Sequence, residues 1–376
     1  MILNKKRIIF ITGTRADFSK LSGLISSLDS SKYEKLIFIT GMHMLKQYGL
    51  TKYEIHKSIN TQYVEFVNQR PEDGLDSILT KTITGLSDYI LETSPDLVIF
   101  HGDRVESLAA ALACCTNYTT SVHIEGGELS GTVDEIFRHT ITKLSDYHLV
   151  CTNEAKKRIT QLGENPDQII NIGSPELDFH SIDSGISIEA VKDYYNIPFK
   201  DYGICIFHPV TTEIDTITSQ TKEFFKCLEK SNRNFVIIEP NNDLGCKQIR
   251  DVILKLPKSR FKIIPSMRFS YFSELMKNAS LFVGNSSVGV REAPFIGISS
   301  INVGSRQDRR ANSLSITNIP DLFQIDLLTI INDQWGKRHE SCKNFWAGGA
   351  IEAFKNFIDT ESIYKTGKQK KFFDLK

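Results

Sequence analysis

Short runs rich in β-branched and apolar residues recur along this chain, each closing on glycine or polar residues and followed by a stretch of helical periodicity. In the first half they fall at 7–12, 36–40, 96–101, 120–124, 147–151 and 168–172. Strands alternating with helices make βαβ units, which lie in a parallel sheet with helices on its faces. The rhythm breaks over 178–201, which holds Asp183-Ser184-Gly185, one helical stretch at 187–195 and Ile197-Pro198-Phe199. It restarts with runs at 203–207, 234–239, 261–264, 280–283 and 299–303, separated by helical patterns such as 213–230. The expected fold class is α/β, with two Rossmann-like domains facing across a cleft. Their expected extents are 1–178 and 202–344, joined by a hinge, with 345–376 as a final helix and tail packing back on the first domain. At 376 residues the chain is long for one core and suits two.

Charge narrows the partners. Lys plus Arg equals Asp plus Glu, 45 each, so no overall field draws the chain toward nucleic acid or an anionic membrane. The seven cysteines form no C-x-x-C pair and no zinc-spaced set with histidine, which fits a reducing compartment and a cytoplasmic location. Lys5-Lys6-Arg7 precedes Ile8-Ile9-Phe10-Ile11, but the apolar run stops at Thr12-Gly13, so it reads as a first strand and not a leader. No run is long enough to span a bilayer. The basic end, Lys368-Gln369-Lys370-Lys371, reads as a solvated terminus.

In open α/β sheets ligands gather where strands end, and five such ends carry chemistry. Thr12-Gly13-Thr14-Arg15-Ala16-Asp17 closes the first strand and opens a helix. Its amides and Arg15 would face an anion, or else it is a tight turn with Asp17 capping the helix. His101-Gly102-Asp103-Arg104-Val105-Glu106 offers a base, a carboxylate and a cation; alternatively Asp103 caps the next helix while Arg104 pairs with Glu106. The stretch 123–139 is densest: His123, Glu125 and Glu128 in a glycine loop, then Asp134, Arg138 and His139 on the next helix, with Asp134 and Arg138 spaced i, i+4. An acidic cap and a surface ion pair are the structural alternatives there.

In the second half, His208-Pro209-Val210-Thr211-Thr212 ends the first strand and would turn its histidine to the cleft. Gly284-Asn285-Ser286-Ser287 would cradle a phosphate at a helix N-terminus. Glu292, about five residues into that helix, would accept from a ribose diol, and Arg306 would meet a phosphate.

Gly-Thr-Arg-Ala-Asp, His-Gly-Asp-Arg, His-Ile-Glu-Gly-Gly-Glu, His-Pro-Val-Thr-Thr and Gly-Asn-Ser-Ser in this order make the chain resemble the UDP-N-acetylglucosamine 2-epimerase family, over about 7–310. Through Gly41-Met42-His43-Met44 and the longer Leu-Ser-Gly-Thr loop it resembles the hydrolysing branch of bacterial sialic acid synthesis. The resemblance implies a glycosyltransferase-B architecture with UDP on the second domain. It also implies elimination of UDP to a 2-acetamidoglucal, followed by hydration to N-acetylmannosamine. Carried over by position, Asp103, Glu125 and Asp134 are the catalytic carboxylates, with His208 and Arg104 beside them. Arg15, His43, Glu128, Arg138, Asn242, Ser286, Ser287, Glu292 and Arg306 are the substrate-binding set. The implied partner is a small-molecule nucleotide sugar, the implied assembly a homodimer or homotetramer, and no metal or cofactor is called for. Past Arg310 the likeness fades. Three rivals stand: the same chemistry on a UDP-2,4-diacetamido-2,4,6-trideoxyhexose, a glycosyltransferase on the same fold, and a non-catalytic nucleotide-sugar sensor.

Overall fold

A computed structural model describes residues 5–241, 243–367 and 369–375. The chain divides into two compact units. The first holds 1–128, 134–178 and 344–376; the second holds 129–133 and 179–343.

The first unit is a parallel sheet of β1 (Lys6–Thr12), β2 (Tyr33–Ile39), β3 (Gln62–Glu65), β4 (Leu97–His101), β5 (Ser121–Ile124), β6 (Tyr147–Val150) and β7 (Ile169–Asn171), ordered β3-β2-β1-β4-β5-β6-β7. The near-continuous apolar runs of the central strands follow from burial on both faces. Ile8 and Phe10 pack toward one layer of helices, and Ile9 and Ile11 toward the other. The second unit repeats the plan with β8 (Gly203–Ile206), β9 (Phe235–Ile238), β10 (Phe261–Ile264), β11 (Leu281–Gly284), β12 (Ser300–Val303) and β13 (Ile316–Ile319), ordered β10-β9-β8-β11-β12-β13 and again parallel. In each sheet the order reverses once, between β1 and β4 and between β8 and β11. The crevice at such a switch point, at the strands' C-terminal ends, is where open α/β sheets take ligands. The His-Gly-Asp-Arg, Phe-His-Pro and Gly-Asn-Ser-Ser motifs all sit at these reversals.

Several expectations shift. β3 and β13 were not legible as strands. β3 is a sheet edge with Gln62, Tyr63 and Glu65 exposed, so it lacks the apolar run that marks a buried strand. The segment 179–201, read as a hinge, belongs to the second unit, because Val191, Ile197 and Phe199 are buried in one of its cores. Phe354, Phe357 and Ile358 of the final helix (Ala350–Ile358) complete the first unit's core.

The basic end is not a solvated terminus. Lys368 lies outside the described residues, but the Lys370 ammonium donates to the carbonyls of Lys143 (2.8 Å), Ser145 and Thr142, and pairs with Glu164 at 2.6 Å. A helix end leaves its last carbonyls without partners and carries a negative dipole end, so a cation there is bound twice over. The helix it caps, Asp134–Leu144, carries Arg138. Burial alone would raise the Glu164 pKa; the bonds from His148, Lys143 and Lys370 overturn this and hold it at about 2. Replacing Lys370 by Met should therefore cost about 1–3 kcal/mol of stability, read as a lower midpoint in urea with an unchanged slope. A midpoint equal to that of the wild type would mean the clasp contributes nothing.

Candidate active site

At the end of β1 the chain satisfies itself. Thr14 caps the Arg15–Ser27 helix, and Asp17 three residues on closes a capping box. The Gly13 and Thr14 amides both donate to Asp17 Oδ2 at 3.0 Å. These are the N–H groups that the sequence offered to an anion, so the expected anion nest is occupied by the protein's own carboxylate. Burial raises the Asp17 pKa, while bonds from Thr12 and Gly13 oppose the shift. Arg15 is engaged as well, its Nε 2.8 Å from Glu54 Oε2.

His43 is closed in by its neighbours. It is buried, with Nε2 3.0 Å from the Thr12 hydroxyl and Nδ1 2.6 Å from that of Thr51. Burial first, then the Arg15 charge, lowers its pKa to about 3, so it is a neutral packing residue with both nitrogens occupied.

The ends of β4 and β5 gather the charges. Arg138, with its side chain fully buried, pairs with the Asp103 carboxylate and donates to the Glu128 carbonyl at 2.8 Å. Burial works against its charge, but the fields of Asp103, Glu128 and Glu125 outweigh it and raise its pKa. The following helix has Arg104 at its N-cap, and Arg104 Nε lies 3.4 Å from Glu106. Glu125 has φ of +71°, a conformation that costs a non-glycine residue of order 1 kcal/mol or more and persists only when its surroundings hold it. They do: Lys20 Nζ and His101 Nε2 each lie 2.7 Å from Glu125 Oε2, and Lys20 is also 3.5 Å from buried Glu176. Asp134 opens its helix at partial burial, and Glu128 is buried.

Two residues stand out against the sequence reading. Lys20 was missed; its only signal was a cation inside the apolar pattern Phe18-Ser19-Lys20-Leu21, on a helix whose face is buried. His123 is not a reactive group. It is fully buried, 2.8 Å from the Gly102 carbonyl and 3.2 Å from the Thr142 hydroxyl, and burial lowers its pKa to about 3. It fastens β5 to the loop that carries Asp103.

The second unit places its candidates at the other switch point. Gly284 has φ of +146°, and a Cβ there would stand 2.0 Å from the Ile206 carbonyl oxygen, so glycine is required where β11 meets β8. Asn285 then clamps the neighbouring loop: its Oδ1 accepts from the His208 amide at 2.6 Å and its Nδ2 donates to the His208 carbonyl at 2.8 Å. His208 Nδ1 accepts from the Asn241 amide at 3.2 Å, which puts the proton of the neutral ring on Nε2. Arg306 NH1 and Gln307 Nε2 donate to the Asn285 carbonyl at 3.3 and 3.1 Å, so Arg306 is anchored beside Ser286.

The expected single helix from Ser286 through Glu292 is corrected. A single 3-10 turn, Ser287–Gly289, is followed by a separate short helix, Glu292–Ile296, of which Glu292 is the first residue. Pro294 lacks the N–H that a continuous helix would direct to the Val290 carbonyl, and its ring collides there. Glu292 is buried, its Oε1 3.2 Å from His180 Nε2. Asn242 lies outside the described residues.

The first unit thus brings Asp103, Glu125, Glu128 and Arg138 together, with Lys20, His101 and Glu176. The second brings His208, Asn285, Ser286 and Arg306 together. Buried carboxylates held by cations suit proton transfer and stabilisation of an electron-poor carbon, while hydroxyls, an arginine and an imidazole suit an oxyanion. Among the described residues no cluster of His, Cys, Asp or Glu could hold a metal ion, and no helix is long and apolar enough to cross a membrane.

A family model described as UDP-N-acetylglucosamine 2-epimerase matches residues 27–358, past the point where the motif resemblance faded. A UDP-N-acetylglucosamine 2-epimerase of Neisseria meningitidis serogroup B is 40% identical over 98% of this chain and 99% of its own length. A Legionella pneumophila protein named UDP-N,N'-diacetylbacillosamine 2-epimerase (hydrolyzing) is 32% identical over 92% of this chain and 93% of its own. Among solved structures, that of the Methanocaldococcus jannaschii UDP-GlcNAc 2-epimerase in complex with UDP-GlcNAc and UDP superposes with a TM-score of 0.78. It covers 94% of this chain and 99% of that one at 19% identity, a likeness of fold.

The buried neutral histidines set an acid limit. Folded, His43 and His123 hold pKa values of about 3; unfolded, they return to about 6.5. Between these values the unfolded chain binds protons that the folded chain refuses. Their contribution is therefore complete above pH 6.5 and is lost progressively as pH falls toward 3. His43→Gln, which keeps a donor and an acceptor for Thr12 and Thr51, should flatten the fall of Tm between pH 6 and 4; an unchanged slope would contradict the assignment.

Proposed function

Because the chain belongs to the UDP-N-acetylglucosamine 2-epimerase family, we propose that it converts UDP-N-acetylglucosamine and water to N-acetylmannosamine and UDP. The observation that carries this reading is the joining of Asp103, Glu125 and Arg138 at one switch point, with the partly buried cation Lys20 paired to Glu125.

No carbonyl acidifies the C2–H bond, so departure of UDP leads. The C1–O bond breaks with its electron pair going to the β-phosphate oxygen, and the ring takes on oxocarbenium character that the carboxylates stabilise. Loss of the C2 proton to Glu125 or Asp103 completes the anti elimination and leaves 2-acetamidoglucal. Water then adds across C1–C2: hydroxide joins C1, and a proton returns to C2 on the face opposite to its removal. Two acid/base groups are needed, and Glu125 and Asp103 are the pair assigned, with Asp134 the third carboxylate. Ser286, Ser287, Arg306 and His208 receive the diphosphate, and Glu292 the ribose. In this scheme Arg138 and Lys20 position the carboxylates and supply the countercharge their burial requires.

A second reading, the same chemistry on a UDP-2,4-diacetamido-2,4,6-trideoxyhexose, is favoured by the full-length Legionella relative named for such a sugar. Incubation with each nucleotide sugar in deuterated water, followed by NMR, separates these readings. The expected result is UDP and free N-acetylmannosamine carrying deuterium at C2. UDP-N-acetylmannosamine would make the enzyme non-hydrolysing; turnover of the trideoxy sugar alone would move the substrate, and turnover only with an added acceptor would make it a transferase. Glu125→Gln should lower kcat by at least about a hundredfold with UDP affinity nearly unchanged, and a parallel loss of UDP binding would remove Glu125 from the chemistry.

A further inference from the structure

Behind Glu292 lies a buried polar chain that the proposed chemistry does not use. The His180 side chain is fully buried; its Nε2 is 3.2 Å from Glu292 Oε1 and its Nδ1 is 2.8 Å from the Ser273 hydroxyl. Phe269 meets the ring edge-on at a centroid distance of 5.3 Å, which fixes its plane. We propose that His180, oriented by Ser273, is the positioning residue that aims the Glu292 carboxylate at the ribose hydroxyls of the nucleotide.

The chemistry runs in one direction. An ionised carboxylate only accepts, so Nε2 donates to Glu292; in the neutral ring Nδ1 then accepts the Ser273 proton, and one tautomer is selected. Glu292 needs such a partner. It is the first residue of a helix of only five residues, closed by Gly297 at φ of +83°, so its backbone has little regular structure to hold it. A buried carboxylate that turns freely would lose the geometry for a diol. With Oε1 held, Oε2 is the oxygen left to direct. The Ser-His-Glu order has the form of a nucleophilic relay, but Ser273 is buried within the Phe269–Lys277 helix. His180 sits two residues after Asp178, where the chain passes into the second unit, so sequence distance hides its link to Glu292.

The inference rests on the reading of Glu292 as the ribose acceptor, and the test keeps the two apart. Calorimetric titration with UDP and with 2',3'-dideoxy-UDP gives a ratio of affinities that isolates the ribose hydroxyls. The wild type should prefer UDP by at least about tenfold. Glu292→Gln should reduce the ratio several-fold, and His180→Ala should reduce it to a similar degree while leaving dideoxy-UDP affinity unchanged. Ser273→Ala and His180→Gln, which keeps a donor, should give intermediate ratios. If Glu292→Gln retains the wild-type ratio, the ribose reading fails and the inference with it. If Glu292→Gln loses the ratio but His180→Ala and Ser273→Ala keep it, the positioning role fails alone. Equal weakening of both nucleotides by His180→Ala would reduce it to a packing residue. Should His180→Ala not fold, the Ser273→Ala and His180→Gln ratios decide the question.

Discussion

A guanidinium with no exposure, Arg138, is the charge around which the first unit's polar edge is arranged. An unpaired charge at that depth would cost several kcal/mol, so its surroundings must answer it. They do so with the Asp103 carboxylate, the Glu128 carbonyl and the field of Glu125. Each answering group ends a different stretch of chain: Asp103 follows β4, Glu125 and Glu128 follow β5, and Arg138 lies on the helix that returns from them. One buried cation thus fixes the mutual positions of loops far apart in sequence. Lys20 does the same from the first helix for Glu125 and Glu176.

The two sheets reach their sites by one topological rule and fill them differently. At the first switch point the amides after β1 are taken by Asp17, so the polar edge presents charged side chains and few open backbone donors. At the second, Asn285 closes the loop after β8 with two side-chain bonds, Gly284 lets the end of β11 lie against β8, and Ser286 and Arg306 are left beside it. One edge is suited to proton transfer and the other to an oxyanion. The proposed division of an elimination between sugar and diphosphate follows from this difference.

The same residue type meant different things according to burial, and here the sequence was a partial guide. His43 and His208 follow strands and His123 lies within one. Two are closed off by threonine hydroxyls or a carbonyl and stay neutral, and only His208 retains partial exposure. Nothing in the local pattern distinguishes them, because their partners Thr51 and Thr142 lie 8 and 19 residues away. Lys370 gives the converse case: a charge run that reads as a solvated tail closes a helix end more than 200 residues earlier in the chain, its bond to Ser145 spanning 225 positions.

By itself the sequence determined the α/β alternation, the ends of the central strands and the motifs placed there, since buried parallel strands need continuous apolar runs and tight turns need glycine. The placing of Asp103, Glu125, His208 and Ser286 after strand ends was legible on those grounds, and that of Arg138 on the helix after β5 from its helical spacing. The tertiary structure alone decided which charge faces which. It paired Arg138 with Asp103, brought Lys20 to Glu125, gave the Gly13 and Thr14 amides to Asp17, and set His180 against Glu292. The reason is physical: periodicity reports which side of an element is buried, whereas ion pairs and hydrogen bonds depend on contacts across the sheet, over separations of 35, 105 and 112 residues for the Arg138, Lys20 and His180 pairs.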